Sequence, residues 1–435
     1  MAELMVIADD LTGAAECAAV CAVRGFRATV LLHSRGDRIA HQPDAEVLAI
    51  DANTRRLSVE HAAETTAELV RLWPMSGATQ TGFIFKKLDS TLRGNFAAEL
   101  AAVLRVCSGM ASGAERVSIV MAPALPAQGR TTVGGRQMVH GRPLEEADIW
   151  TSEVGALRSD ISTLLAEAGL SCALIDLGTV RSGMGGLKIA MTGLAQLADV
   201  ILCDAETEDD LHAIAEASMV LGKRTVWAGS AGLVGHLPHA IEMAARGSDE
   251  EPDDIALGPT LFVVGSPASI SREQARMLAA VPGVATVRVA PESLRDGQVD
   301  GAPIIENLES GRDVLVVLEE SLRFSSEEAP LLMKGLSRAI APCAAILGGL
   351  VMTGGETARA ILDELGIRRL RLFGEVEPAL PFSVADGWMR RLPVLTKAGG
   401  FGPPLSLVRC REFLQSIERV SATRGAQRSF VSREN

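Results

Sequence analysis

The feature that most constrains this chain is its alternation. Short apolar runs recur, and most are followed by a segment of helical periodicity. In the first half the runs fall at Leu4–Ala8, Ala28–Leu32, Val47–Asp51, Phe83–Lys87, Val117–Ala122, Cys172–Leu177, Val200–Asp204 and Thr225–Gly229. Helical segments are expected at Ala14–Val23, Val59–Leu72, Phe96–Val106, Ala156–Ala168, Leu187–Leu197, Asp209–Leu221 and Ala231–Ala245. Runs that are apolar throughout read as strands buried on both faces. Strand–helix repetition of this kind predicts an α/β fold, a mostly parallel sheet flanked by helices.

A chain of 435 residues is too long for one ordinary core. The pattern breaks at Gly247–Pro259, GSDEEPDDIALGP, which is acidic and holds two prolines. It then restarts, with strands at Thr260–Gly265, Thr286–Ala290, Asp313–Leu318, Gly349–Thr353, Leu370–Phe373 and Val394–Thr396. Helices are expected at Ser269–Ala280, Glu327–Ile340, Thr357–Leu365 and Ser406–Glu418. Two α/β domains follow, 1–246 and 260–420, with 247–259 as linker, 421–435 as a fraying tail and a cleft between the domains.

Charge and composition narrow the partners. A net charge of −12 argues against nucleic-acid and anionic-membrane surfaces. With no Tyr and 3% aromatic residues, base-stacking platforms are not expected. The seven cysteines are dispersed and form no CxxC or Cys/His cluster, as in buried thiols of a reducing cytosol. No run reaches membrane-spanning length and no basic leader opens the chain, so a cytoplasmic location is expected. A homodimer is the default assembly.

Chemistry-bearing residues collect where strands end. The first strand runs into Asp9 and Asp10, followed by Thr12, the expected N-cap of the first helix. Paired carboxylates at such an edge can supply a general base and a ligand for a hydroxyl, an ammonium or a metal. Alternatively, one caps the helix and the other is solvated. After the third strand comes DANTRR, where Arg55 suits a substrate carboxylate bidentately. The densest stretch is KKLDSTLRGN, Lys86 to Asn95. Strand alternation sends Lys86 and Lys87 to opposite faces, and Asp89, Ser90, Thr91 and Arg93 follow in the loop. The Gly/Pro-rich segment Ala122–Glu146 carries Gln128, Arg130, Arg136 and His140 and reads as a hairpin flap.

The second half holds three Gly/Ser/Thr turns at strand ends. They are Gly265-Ser266, Gly354-Gly355-Glu356-Thr357, and Gly399-Gly400 within TKAGGFG. Free N–H groups at such turns cradle phosphate. There is neither a GxxxxGK[ST] P-loop nor a GxGxxG after the first strand of either half. One domain thus suits a small polyhydroxy acid and the other suits phosphates, the layout of a kinase that closes to exclude water.

VIADDLTGA, KKLDSTLRGN, PAQGRTTVGG, GSAGL, VVGS, TGGETA and KAGGFG, in this order, resemble the four-carbon acid sugar kinase family. The resemblance runs from about residue 4 to about residue 418. It implies an ATP-dependent kinase of D-threonate, D-erythronate or 3-oxo-tetronate acting on the 4-hydroxyl, with D-threonate preferred. It implies substrate contacts from Asp9 or Asp10, Arg55 and Lys87 through Thr91, with Arg93 beside them. It also implies ATP contacts from Ser266, Gly354 through Thr357, Gly399 and Gly400. The expected mechanism is in-line transfer. Asp9 or Asp10 acts as base, Arg55 and a lysine hold the carboxylate, and Mg²⁺ with the Gly-rich turns holds the ATP phosphates; the metal's protein ligands stay open. The competing readings are a lyase or dehydrogenase acting on the same acids and a sugar-acid- and nucleotide-binding regulator without turnover.

Overall fold

The computed structural model describes residues 2–34, 45–73, 82–110, 116–147, 158–245, 255–295, 299–319 and 328–431. Contacts divide the chain into two compact units, Met1–Ile149 with Val154–Gly247, and Ser248–Asn435 with Trp150–Glu153. Most of the expected linker, up to residue 254, lies outside the described residues.

The first unit opens with β1 (Leu4–Ala8), α1 (Leu11–Val23), β2 (Ala28–Leu32), β3 (Val47–Asp51), α2 (Val59–Leu72), β4 (Phe83–Lys87), α3 (Phe96–Met110) and β5 (Ser118–Ala122). A small antiparallel sheet follows, β6 (Arg130–Val133), β7 (Arg136–Val139) and β8 (Arg142–Pro143). Then come α4 (Ile161–Glu167), β9 (Cys172–Ile175), α5 (Leu177–Val180), α6 (Met184–Ala195), β10 (Val200–Cys203), α7 (Glu208–Ser218), β11 (Thr225–Gly229) and α8 (Ala231–Ala240). The main strands pair in the order β2-β3-β1-β4-β11-β5-β10-β9, all parallel. Strands β1, β3, β5, β10 and β11 are buried along their whole length. Both faces of the sheet are covered, which is why these strands read as continuous apolar runs. Met5, Ile7, Leu48, Ile50, Ile84 and Ile119 pack against Leu69 and Val70 of α2 and Leu100 and Val103 of α3 in one core.

The chain leaves β1 toward β2 and β3 on one side and β4 on the other, so β1 and β4 meet at a topological switch point. Ala8 sits beside Asp51 of β3, and Ile7 beside Lys86 of β4. The loops bearing Asp9 and Asp10, Arg55, and Asp89 through Arg93 therefore emerge together at one carboxyl edge.

The second unit contains β12 (Thr260–Val264), α9 (Ser269–Ala279), β13 (Val284–Val289), α10 (Pro291–Arg295), α11 (Ala302–Glu309), β14 (Asp313–Leu318), α12 (Ala329–Ile340), β15 (Gly349–Thr353), α13 (Gly355–Glu364), β16 (Arg369–Glu377), β17 (Leu380–Ala385), β18 (Pro393–Lys397) and α14 (Ser406–Val431). Strands β13-β14-β12-β15-β18 are parallel, and β17 and β16 continue the sheet antiparallel. Here the switch point lies at β12 and β15, and β18 adjoins it.

Several expectations change. The N-cap of α1 is Asp10, whose Oδ1 accepts the Gly13 N–H at 2.9 Å. Thr12 instead donates its hydroxyl to Asp10 Oδ2 at 2.6 Å, so α1 starts three residues before the expected Ala14. The strand expected at Leu370–Phe373 runs on to Glu377, past a register shift at Gly374, and pairs with β17, which periodicity does not reveal. The last helix continues beyond Glu418 to Val431. Six cysteines are buried and Cys172 is half-buried; none is in a disulfide.

Candidate functional site

At the carboxyl edge of the first unit, three N–H groups of Arg55 are committed to the paired carboxylates. Nε and Nη2 donate to Asp9 Oδ2 and Oδ1 at 2.8 and 2.9 Å, and Nη1 donates to Asp10 Oδ2 at 2.8 Å. The Asp9 pair is bidentate, the stronger and more directional form of a carboxylate–guanidinium contact. The backbone reinforces it, because Thr54 N and Arg55 N donate to Asp9 O at 2.9 and 3.2 Å. Burial works against the charge on Asp9, but Arg55 outweighs it and holds that carboxyl below the usual carboxylate range. The side chain of Asp9 is 4% exposed and that of Asp10 15%, so Asp10 is the carboxylate that a ligand reaches.

Gly94 explains why this approach is possible. It lies at φ +80°, and a Cβ there would stand 2.9 Å from Asp9 Oδ2 and 3.5 Å from Arg55 Cγ. Any side chain would collide with the ion pair.

The two lysines part as alternation requires. Lys86 Nζ is fully buried and pairs with Glu99 Oε2 at 3.1 Å. Glu99 also accepts from Thr54 and Thr66, so this group ties β4 to α3 and to the Arg55 loop. Lys87 turns to α1. Its Nζ donates to Leu88 O at 2.8 Å and faces Glu16 Oε2 at 3.8 Å. Burial opposes the Lys87 charge, and Glu16, Cys17, Asp89 and Asp10 together overcome that and raise its pKa. Glu16 responds in the opposite sense: burial raises its pKa despite Lys87. Its Oε1 accepts from Gln128 Nε2 at 3.1 Å. Motif reading passed over Glu16, although its signal was present as the one charged residue in the otherwise uncharged α1.

Asp89 organises the remaining loop. It accepts from Thr91 N at 3.1 Å, from the Thr91 hydroxyl and from Arg93 Nε. Burial resists its ionisation, and Arg93 and Arg55 reverse the balance, holding it far below the usual range. Ser90 offers its carbonyl to Gln137 Nε2 at 2.8 Å. Ser90 and Thr91 are buried, and the Thr91 hydroxyl is engaged within the loop.

The β6–β8 hairpin is pinned rather than hinged. Gly134 N and Gly135 N donate to Asp204 at 2.7 and 2.9 Å, and Gln137 holds Ser90. It places Gln128 on Glu16, while Arg136 pairs with Glu145 away from the acids and His140 is exposed.

In the second unit the three Gly-rich turns converge. A Cβ on Gly265 would collide with Thr357 Oγ1, and one on Gly399 with Ser266 Oγ. Gly354 lies at φ +93° and its N–H donates to Lys397 O at 2.8 Å. Ser266, Gly354, Gly355 and Thr357 therefore surround one point at the N-terminus of α13, with Gly399 beside it, while Glu356 and Gly400 are exposed. The Thr353 hydroxyl, buried next to this turn, has no partner among the described residues. A helix start with converging free N–H groups is an anion site. Among the described residues no group of three or more His, Cys, Asp or Glu is arranged to hold a metal. No helix among them is long and apolar enough to cross a membrane.

Family models agree with this division. Residues 4–237 match a sugar-binding N-terminal domain, and residues 261–407 match a nucleotide-binding C-terminal domain. A protein of Cupriavidus necator named D-threonate kinase is 40% identical, with 93% of this chain and 96% of that one covered. A Heliobacterium modesticaldum protein named D-erythronate kinase is 28% identical over 95% of this chain and 97% of its own. A crystal structure of a Haemophilus influenzae protein superposes with a TM-score of 0.70 at 20% identity, covering 94% of this chain and all of that one, which bears on the fold alone. By its two matching domains and its 40% identical full-length relative, the chain belongs to the four-carbon acid sugar kinase family.

Proposed function

We propose that the protein is an ATP-dependent kinase that phosphorylates the 4-hydroxyl of a four-carbon sugar acid, D-threonate foremost. The observation that carries this reading is the Asp9–Arg55–Asp10 constellation at the switch point of a sugar-binding domain. It is joined in one chain to a second domain with a phosphate-type turn. The name of the 40% identical relative favours D-threonate over D-erythronate and 3-oxo-tetronate.

In this mechanism Asp10, the more exposed carboxylate, orients the 4-hydroxyl and takes its proton. Asp9, ionised and locked by Arg55, fixes the position of that guanidinium and of Asp10. Arg55 thus acts first as the anchor of the acids and only then toward the substrate carboxylate. Lys87 is the complementary cation, its Nζ donating to Leu88 O and lying 3.8 Å from Glu16 Oε2. Ser266, Gly354 through Thr357, Gly399 and Gly400 hold the nucleotide phosphates. Mg²⁺ needs no protein cage here, since it keeps waters and binds through phosphates and one or two carboxylates. Glu356, exposed at the first turn of α13, would be a carboxylate available to it, and the ion would supply charge neutralisation on the phosphates. Positioning and charge stabilisation provide most of the rate.

An ADP-release assay with D-threonate, D-erythronate, L-threonate and 3-oxo-tetronate tests the reading. Release with D-threonate at the highest kcat/KM is expected. Nucleotide and sugar-acid binding without ADP release from any acid would favour a regulator instead.

A further inference from the structure

The Gly-rich turn after β18 is held by donors that motif reading does not join to it. Three side chains collect its carbonyls. Lys397 Nζ donates to Ala398 O at 2.9 Å and to Phe401 O at 2.8 Å. Ser271 Oγ donates to Gly399 O at 2.6 Å. Gln274 Nε2 lies 3.0, 3.1 and 3.0 Å from the carbonyl oxygens of Phe401, Gly402 and Pro403. Between residues 398 and 403 only the Gly400 carbonyl stays outside this set. The N–H groups of Gly399 and Gly400 have no acceptor among the described residues. Ser271 and Gln274 lie on one face of α9 and are fully buried, and Lys397 is 2% exposed. Three oxygens around one Nε2 also fix the orientation of the Gln274 amide, because the flipped amide would place oxygen against oxygen. Its Oε1 is buried without a partner, which is the cost of aiming the NH₂ group at the turn.

We propose that Gln274, together with Lys397 and Ser271, is a positioning residue for nucleotide binding. Drawing the carbonyls of 398–403 inward removes acceptor oxygens that would repel a phosphate. It leaves the Gly399 and Gly400 amides as a preorganised anion nest. None of the three side chains needs to touch the nucleotide. Their role rests on the reading of this domain as the ATP site.

Two substitutions separate this role from packing. Gln274→Met keeps the volume and removes the donors. Gln274→Glu keeps the shape, and its carboxyl donates only when protonated. Losing a buried multi-acceptor donor is expected to raise the KM for ATP about tenfold in Q274M, with the KM for D-threonate changed less than about twofold. Between pH 8 and pH 6, Lys397, whose pKa burial lowers to about 8, gains its proton on the same turn in every variant, so the readout is the ratio of the Q274E KM for ATP to the wild-type value at each pH. That ratio is expected to fall from pH 8 to pH 6, because protonation of the introduced carboxyl restores one donor; a packing role leaves the ratio flat. Amide hydrogen exchange of 398–403 in the unliganded full-length protein should be at least several-fold faster in Q274M than in wild type. An unchanged KM for ATP with unchanged exchange, or equal increases in both KM values, would overturn the proposal. If the wild type itself neither bound nor used ATP, the kinase reading would fall. The exchange comparison would then decide whether Gln274 orders the turn, unchanged exchange overturning that too.

Discussion

At Asp10 two jobs coincide. Its carboxylate caps α1 through the Gly13 N–H and also meets Arg55 and Thr12. An Asp10→Asn variant keeps a capping oxygen, so its fold should survive while turnover drops by about 10² or more, the usual worth of a general base. Asp10→Ala should in addition lose about 1 kcal/mol of stability, the usual contribution of an N-cap. Steady-state rates and urea unfolding of the pair separate the two effects, and equal turnover in D10N and wild type would remove Asp10 as base. Asp89 and Asp9 are among the carboxylates that couple stability to acid pH. Both have folded-state pKa values depressed below the ordinary 3.8, so each contributes stability that is present above that value and lost as pH falls through the folded pKa. Asp89→Asn should therefore cost about 3 kcal/mol at neutral pH, because it removes the buried carboxylate that accepts from Thr91 and Arg93, and should flatten the loss of stability below about pH 4. Unfolding free energies between pH 2 and pH 7 check this, and parallel curves for variant and wild type would contradict it.

At the scale of elements, strand ends were readable because each carries its chemistry within a few residues. An apolar run followed by Asp-Asp or Gly-Gly places acids or free amides at a carboxyl edge through local order alone. Contacts across long separations were not readable. Gln274 and the carbonyls it gathers lie more than a hundred residues apart, and Glu16 gains its meaning only from the turn of Lys87 toward α1. Strand β17 escaped notice because Pro381 demotes its run, and β16 was expected only as far as Phe373 because Gly374 marks a register shift rather than an end. The β6–β8 hairpin looked like a flap from its Gly and Pro content, yet Asp204 holds its tip by two amides. Asp204→Ala should loosen it. Exchange of residues 130–143 should accelerate and the KM for the sugar acid should rise several-fold, with the KM for ATP unmoved. Hydrogen-exchange mass spectrometry and kinetics would show otherwise if the hairpin holds by packing alone.

At the scale of the whole molecule, each domain should answer to its own ligand. A ligand at 100 times its Kd stabilises by about 2.7 kcal/mol. D-threonate and a non-hydrolysable ATP analogue should each raise the Tm of the wild type. Arg55→Ala should abolish the first shift and keep the second. Loss of both in R55A would mean that the variant is misfolded or that the ligand assignments are wrong.

The seven cysteines carry a practical consequence. Burial raises the thiols of Cys21 and Cys107 to about 12 and pushes Cys17, Cys203 and Cys410 up as well, so the nucleophilic thiolate is scarce. Burial raises the Cys172 thiol too, but on the edge strand β9 it is only half-buried, the most accessible of the seven. A maleimide dye offered to the native protein should attach there and stay clear of both ligand sites, and all seven thiols should react once the chain is unfolded. The native molecule thus comes with its own address for a fluorescent reporter, with no cysteine to remove.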